Sequence, residues 1–329
     1  MRIALAGSPG CGRTTLFRAL AGSRAADPGK PLTVQVPDPR LDFLATIWSP
    51  RKTVHATIVF TDTPSPAFSS KSLSEMRDAS ALALVLDNFA RGDPAGAFAS
   101  CETELMLADL SVVERRMERL AKESRARTAE YRLLEHAAEL LGRELPLRTV
   151  EFSKEDLALL SPYALLSLKP VFAVSNRTST PVSPEDDLER LGSAHGASVI
   201  PVDAAFELEL TEIPEADRAE FLSSMGYSSS GLSRLIEAAY SSLDLISFLT
   251  MGPDEVRAWP LRRGSTALDA AGAIHSDLAR GFIRAQVTAF ADYQACTDAA
   301  KLREKGAVRL EGREYEVRDG DILEIRFSV

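Results

Sequence analysis

The chain has 329 residues, which is enough for two ordinary hydrophobic cores and an insertion. Apolar residues make up 45% of it and charged residues 26%, an ordinary globular composition that excludes a disordered or fibrous chain. The formal net charge of -9 argues against a broad basic surface that binds nucleic acid by charge alone, and leaves room for a local basic patch.

The sequence also bears on cellular location. Its cysteines, Cys11, Cys101 and Cys296, lie far apart, and their sparse, odd number does not predict a disulfide framework. The first apolar run, over residues 3–6, is too short for a signal peptide, and no stretch approaches the roughly 20 apolar residues of a membrane helix. We therefore expect a cytoplasmic protein without a membrane partner.

Short apolar runs separated by helical stretches predict a parallel sheet with helices on both faces. The predicted strands cover residues 3–6, 54–60, 81–86, 170–174 and 198–202. Ligands of such sheets bind at the carboxyl ends of the strands. Several residues with suitable chemistry fall at those ends: Gly7, Asp62, Asn176 and Asp203.

The turn after the first predicted strand fits the phosphate-binding pattern G-x-x-x-x-G-K-[ST] at every defined position except the lysine. Because the turn precedes a helix predicted over 13–20, its backbone N–H groups and the helix dipole favour phosphate oxygens. We predict that the turn binds a nucleotide through Gly7, Ser8, Pro9, Gly10, Cys11, Gly12, Arg13, Thr14 and Thr15. Arg13 replaces the lysine with a bulkier, planar cation, and a glycine-rich turn without a ligand is the alternative.

Further residues complete the predicted nucleotide site. Thr14 is placed to ligate Mg²⁺, and Asp62 ends a strand where P-loop proteins hold Mg²⁺ through water; a turn or helix cap is the alternative for Asp62. Asn176 ends the fourth strand, where a base-reading loop would lie, and is either near the base or a simple turn asparagine. Ser65 stands where the D-x-x-G pattern has its glycine. No acidic residue follows Asn176 within three positions, so guanine specificity lacks its main determinant.

A helical insertion is predicted between the third and fourth strands. From residue 102 to about 142 the sequence has no proline or interior glycine, and apolar residues recur every three to four positions. A turn near 124–128 would fold this stretch into an antiparallel hairpin. We interpret its dense charge mainly as a solvated surface.

The C-terminal part predicts a β-grasp fold, in which one helix crosses a small mixed sheet. Strands are predicted at 256–261, 283–290, 308–310, 315–317 and 322–327, and a helix from 267 to about 280. The sequence thus predicts an α/β chain in three parts. These are a P-loop G-domain over 1–101 and 165–245, a helical hairpin inserted at 102–164, and a C-terminal β-grasp domain over 246–329.

Several segments resemble YchF-type GTPases of the Obg-related group. Residues 36–42 (VPDPRLD) resemble the family's segment after switch I, and residues 103–116 the start of its helical insertion. Similar to its TGS domain are residues 252–260 (GPDEVRAWP), 273–277, 281–285 and 317–321 (VRDGD). The likeness runs over essentially the whole chain and keeps the order of the segments.

The resemblance implies a cytoplasmic, translation-linked P-loop NTPase, a hydrolase that uses Mg²⁺ with ATP or GTP and often binds ribosomes. For the TGS domain it implies contact with RNA or the ribosome, and we expect no DNA partner. A local basic surface on this domain would comprise Arg257, Arg262, Arg263, Arg280 and Arg284. Ordinary surface charge is the alternative for these arginines.

The departures from the family pattern concentrate in the nucleotide site. Arg13 replaces the P-loop lysine, Ser65 the D-x-x-G glycine, and Ser179 the glutamate of N-x-x-E, which the family associates with ATP preference. We therefore expect a nucleotide-binding protein with weak hydrolysis, and assign no catalytic residue. The alternative is a pseudo-GTPase interaction module that has lost binding and turnover and acts through its TGS and helical surfaces.

Overall fold

The computed structural model describes residues 1–63, 66–90, 92–125, 127–179 and 181–328, with the backbone alone at Glu215. The chain forms two compact units, one from Met1–Val34 and Val59–Ser242, the other from Gln35–Ile58 and the chain from Leu243 onward. The second unit begins near the predicted boundary at 246 and also takes Gln35–Ile58, which the sequence assigned to the G-domain. The helix α2 (Pro39–Trp48) of this segment packs against the second unit's sheet, and its strand β3 (Lys52–Val54) pairs with that sheet. For this reason Gln35–Ile58 belongs to the second unit.

The elements follow one another along the chain as two sets. The strands are β1 (Arg2–Ala6), β2 (Leu32–Gln35), β3 (Lys52–Val54), β4 (Thr57–Asp62), β5 (Ala81–Asn88), β6 (Val171–Arg177), β7 (Ala197–Val202), β8 (Leu245–Thr250), β9 (Glu255–Arg262), β10 (Phe282–Ala289), β11 (Val308–Glu311) and β12 (Asp321–Phe327). The helices are α1 (Arg13–Leu20), α2 (Pro39–Trp48), α3 (Ser70–Asp78), α4 (Pro94–Lys122), α5 (Ala129–Gly142), α6 (Lys154–Leu160), α7 (Asp186–Ala194), α8 (Ala204–Leu210), α9 (Glu215–Ser224), α10 (Gly231–Ser242), α11 (Ala267–Ile274), α12 (Ser276–Arg280), α13 (Phe290–Ala295) and α14 (Ala299–Glu304). Short 3₁₀ turns lie at Leu147–Thr149 and Ser161–Tyr163.

The first unit is built on a sheet of order β2-β4-β1-β5-β6-β7. β1 runs parallel to β4 and β5, and the parallel pairing continues through β6 to β7, as the sequence predicted. The central strands β1, β5 and β6 are largely apolar and buried, because helices cover both faces: α3, α4 and α7 pack on one face, and α1 and α10 on the other. The register sets Leu5 opposite Asp62, and Asp87 opposite Asn176. The carboxyl ends of these strands therefore meet at one edge.

The helices α4 and α5 form the predicted antiparallel hairpin, although α4 starts before the predicted insertion. A stripe of apolar side chains joins the two helices, with Leu120 and Leu134 fully buried. The buried carboxylate of Asp109 on α4 accepts hydrogen bonds from the backbone N–H groups of Leu166 (2.9 Å) and Ser167 (2.7 Å). These bonds fix the hairpin to the chain segment that returns to the sheet.

The second unit is built on a sheet of order β11-β10-β12-β8-β9-β3. The helix α11 packs on one face, where Phe248, Ala271 and Leu323 are buried, which is the predicted β-grasp arrangement. The strand β8 was not predicted, because its apolar run follows α10 after only Leu243 and Asp244, without a glycine or proline turn signal.

Some predicted elements differ from those observed. The predicted strand at 54–60 is divided between β3 and β4, which belong to different sheets. The predicted strand at 315–317 forms one isolated bridge, from Glu316 to Thr266. The helix predicted over 267–280 breaks at His275, whose extended backbone and Nδ1 acceptor cap the start of α12. Among the described residues, no helix combines the length and the apolar character that a membrane crossing requires.

Candidate functional site

The glycine-rich turn links β1 to α1 at the carboxyl edge of the first sheet. Gly10 and Gly12 both have a φ of 86°, in the left-handed region that favours glycine, and Gly12 is the N-cap of α1. A side chain at Gly12 would also collide with the amide of Asn176. The turn therefore needs its glycines for backbone shape, and it leads directly into the N-terminus of α1, the end of a helix at which backbone N–H groups and the helix dipole favour anions.

The predicted nucleotide-binding residues of this turn differ in exposure. Ser8, Pro9 and Gly10 are exposed at the rim, and Thr15 is half-buried. Cys11 is buried, and this burial raises the pKa of its thiol.

The side chain of Arg13 turns inward to the end of β4. Its Nε forms an ion pair with Oδ1 of Asp62. Its Nη1 donates to the carbonyl of Gly7 (3.3 Å) and to the hydroxyl of Thr63 (3.4 Å). Only 9% of Arg13 is exposed. One guanidinium thus joins the first residue of the turn to the carboxyl end of β4.

The predicted metal ligands Thr14 and Asp62 lie together. The Thr14 hydroxyl donates to Oδ2 of Asp62 at 3.0 Å, while Oδ1 of the same carboxylate pairs with Arg13. Burial raises the pKa of Asp62, and the Arg13 charge and the Thr14 hydrogen bond act in the opposite direction. Oδ2 thus accepts from Thr14 while Oδ1 faces the Arg13 guanidinium, so a divalent cation would compete with a permanent positive charge for this carboxylate. Among the described residues, no group of three or more His, Cys, Asp or Glu is placed to hold a metal ion.

Asn176 lies between the turn and the start of α8. Its Nδ2 donates to the carbonyl of Cys11 (2.9 Å), and its Oδ1 accepts from the backbone N–H of Ala204 (3.1 Å). The residue is 5% exposed. These bonds connect the glycine-rich turn to the start of α8, a structural role that the sequence did not predict.

A cavity of about 60 Å³ lies beyond Asn176, at the carboxyl ends of β6 and β7. Ser179 lines it, together with the aromatic rings of Phe206 and Tyr227. Two carboxylates that line the cavity accept hydrogen bonds at helix N-termini. Asp203 accepts from the backbone N–H of Phe206 in α8 (3.0 Å), and Glu207 accepts from the backbone N–H of Gly231 at the start of α10.

Sequence reasoning missed the two aromatic residues of this cavity. Only the packing of α8, α9 and α10 brings Phe206 and Tyr227 to the strand ends, and neither ring lies in a local motif. Thr63 was also missed, although it directly follows Asp62. Ser65, the residue in the D-x-x-G position, lies outside the described residues.

The fold and the site define a P-loop protein with a helical insertion and a separate β-grasp unit. The chain belongs to the YchF family. It is 35% identical over 361 aligned positions to the ribosome-binding ATPase YchF of Bacillus subtilis (strain 168), covering 99% of this chain and 98% of that protein. It is 34% identical over 357 positions to the protein of the same name from Escherichia coli O157:H7, with the same coverage. The resemblance that the sequence indicated is confirmed.

A family model and solved structures agree with this assignment. The model YchF-GTPase_C, described as a protein of unknown function (DUF933), matches residues 245–328. The structure of the Schizosaccharomyces pombe YchF GTPase is similar over 99% of this chain and 97% of that chain, with a TM-score of 0.89 and 25% identity. A GTP binding protein from Pyrococcus horikoshii OT3 has a TM-score of 0.65 and 20% identity with full coverage of both chains, a likeness in fold alone.

Proposed function

We propose that this chain is a translation-associated P-loop protein that binds ATP or GTP at the β1–α1 turn and contacts the ribosome. The proposal is carried by two separate sets of contacts, the buried Arg13–Asp62 pair and the buried Asn176 side chain. Both fix a glycine-rich turn and a helix N-terminus at the carboxyl edge of a parallel sheet. End-to-end similarity to ribosome-binding ATPases of the YchF family supports the cellular role.

The phosphates are held by the backbone of residues 7–15, and the base lies toward the cavity next to Ser179. Since Asp203 and Glu207 are engaged by backbone N–H groups, neither carboxylate is arranged to distinguish the edges of purine bases. ATP and GTP should therefore bind with similar affinity.

Hydrolysis is slow in this proposal. Phosphoryl transfer depends on positioning and charge neutralisation, and here the P-loop cation is directed to Asp62. Loss of one well-placed donor typically costs about 2.7–4 kcal/mol of transition-state stabilisation. Replacing Arg13 with lysine, a compact point charge, should raise the rate of phosphate release.

The β-grasp unit supplies the ribosome contact through its basic side chains. Arg262 and Arg284 are exposed. Arg263 and Arg280 are also exposed, and they pair with the acidic side chains of Asp244 and Asp277. Arg257 stacks on the ring of Trp259 at 3.9 Å, so its charge is partly directed to the aromatic face. The contact is local and should weaken as salt is raised.

Titration calorimetry with ATP, GTP and ADP, followed by co-sedimentation with ribosomal subunits over a salt series, tests the proposal. We expect nucleotide binding of similar strength for ATP and GTP, and pelleting at low salt that the double variant Arg262→Ala/Arg284→Ala weakens. The matched control is Arg263→Ala/Arg280→Ala, which removes arginines that already have acidic neighbours. Absence of nucleotide binding, together with failure to pellet at the lowest salt, would contradict the proposal.

A further inference from the structure

We propose that the guanidinium of Arg13 takes the part of Mg²⁺ in this site, so that the chain binds a nucleotide polyphosphate without a divalent cation. This inference rests on the proposed nucleotide binding and adds the ionic form in which the nucleotide is bound.

The first argument concerns the carboxylate of Asp62. In a P-loop site an acidic residue at this strand end and the hydroxyl of the turn's Ser or Thr hold the metal ion. Here Oδ1 of Asp62 pairs with Arg13 and Oδ2 accepts from Thr14 at 3.0 Å. The metal's usual protein partners are thus bonded to each other and to a permanent cation.

The second argument concerns the cost of exchanging this cation for a metal ion. The side chains of Arg13 and Asp62 are 10% and 4% exposed. Separating a buried ion pair leaves an uncompensated charge in a medium of low dielectric constant, which is strongly unfavourable. Nη1 of Arg13 would also lose its acceptors at Gly7 and Thr63. A metal ion would have to offset all of these losses before it contributed to nucleotide binding.

The third argument concerns charge. A P-loop without its metal ion presents a bare carboxylate near the phosphates, and this negative charge repels them. The Arg13–Asp62 pair cancels that charge inside the protein. The backbone N–H groups of the turn and the N-terminus of α1 can then attract an anionic polyphosphate that carries no metal.

Titration calorimetry of the full chain with ADP and with inorganic tripolyphosphate, in EDTA and in excess Mg²⁺, tests this inference. For the natural chain we expect dissociation constants in the two buffers to agree within about threefold. Arg13→Lys should restore dependence on the metal, with binding about tenfold weaker in EDTA than in Mg²⁺. Arg13→Gln, which leaves Asp62 without its cation, should lose binding in EDTA by about tenfold relative to the natural chain.

Electron paramagnetic resonance of Mn²⁺ gives a second readout that does not depend on turnover. With protein in excess over ADP, the Arg13→Lys variant should immobilise Mn²⁺ and the natural chain should not. If the natural chain bound ADP only when Mg²⁺ was present, this inference would be wrong while the proposed nucleotide binding would stand. If the natural chain bound neither ligand in either buffer, the proposed function would fail and the inference with it.

Discussion

Asn176 donates to the carbonyl of Cys11 and accepts from the backbone N–H of Ala204, so one buried side chain connects the glycine-rich turn to the start of α8. Gly12 packs against the same amide and cannot carry a side chain. The shape of the turn therefore depends on a residue far away in the sequence. Loss of that residue should affect both stability and ligand binding.

We expect Asn176→Ala to lower the free energy of unfolding by about 1–3 kcal/mol, because it leaves a buried carbonyl and a buried N–H without partners. The nucleotide affinity should fall by about tenfold as the turn loses its fixed shape. Urea denaturation followed by circular dichroism, and calorimetric titration, measure the two effects. Ser179→Ala, at an exposed position on the same edge, should change stability by less than about 0.5 kcal/mol. If Asn176→Ala left the stability unchanged, the proposed role of Asn176 in holding the turn to α8 would be wrong.

Helix ends in the first unit are joined by buried charged side chains. On α8, Glu207 accepts from the backbone N–H of Gly231 at the start of α10. Burial raises the pKa of Glu207, and the hydrogen bonds from Gly231 and its neighbours oppose that shift only in part.

At the base of the insertion, Arg148 donates to Glu102 (2.6 Å) and to the carbonyl of His195 (2.9 Å).

The raised pKa of Glu207 predicts a pH effect at the α8–α10 junction. The folded chain holds this proton more tightly than the unfolded chain, so the associated stability is present below the ordinary pKa of 4.5 and is lost as pH rises through the folded-state pKa. Glu207→Gln keeps an oxygen that can accept from Gly231 and has no proton to lose. Its stability relative to the natural chain should therefore increase between pH 4.5 and pH 8 in urea denaturation. Parallel stability profiles for the two proteins would contradict this assignment.

Arg148→Ala should destabilise the first unit by about 3–5 kcal/mol, because it leaves the fully buried carboxylate of Glu102 without its cation. The Arg143–Glu139 pair on the same insertion supplies a matched control, since its side chains are 67% and 65% exposed. Arg143→Ala should change stability by less than about 0.5 kcal/mol. Hydrogen exchange of α4 and α5 distinguishes the outcomes. Equal protection in the two variants would show that the buried pair is not what holds the insertion.

At the scale of the whole molecule, the chain leaves the first unit after Val34, adds Gln35–Ile58 to the second unit, and returns at Val59. Within the second unit, Arg40 fixes this segment: it donates to Asp38 (2.9 Å) and to Asp319 (2.8 Å). Burial disfavours the Arg40 charge, but the hydrogen bonds to the two carboxylates outweigh it and raise the pKa of Arg40. The segment Gln35–Ile58 is therefore anchored within the second unit.

Arg40→Ala should destabilise the second unit by about 1.5–3 kcal/mol, the usual contribution of hydrogen bonds to charged groups. The chain's 2 tryptophans, Trp48 and Trp259, both belong to this unit, so their fluorescence reports its unfolding separately. Arg51→Ala is the matched control, because the Arg51–Asp254 pair joins the same two segments with side chains 85% and 80% exposed. A fluorescence transition that moves equally in both variants would contradict the anchoring role of Arg40.

The sequence by itself determined the features that are encoded locally. The helix predicted over 13–20 is observed as α1 over Arg13–Leu20. Its start is encoded by the glycine turn that precedes it, and its buried face by apolar residues at helical spacing. The buried parallel strands, the hairpin and the YchF resemblance could be predicted for the same reason. Periodicity and short motifs are carried by neighbouring residues.

Only the tertiary structure decided which distant side chains meet. Arg13 was recognised as a substituted cation, but its pairing with Asp62 follows from the register of β1 against β4. Gln35–Ile58 belongs to the second unit because of long-range packing and the Arg40–Asp319 pair. Neither contact could be predicted from a local sequence pattern. Charges and amides find partners through space, whereas sequence patterns describe neighbours along the chain.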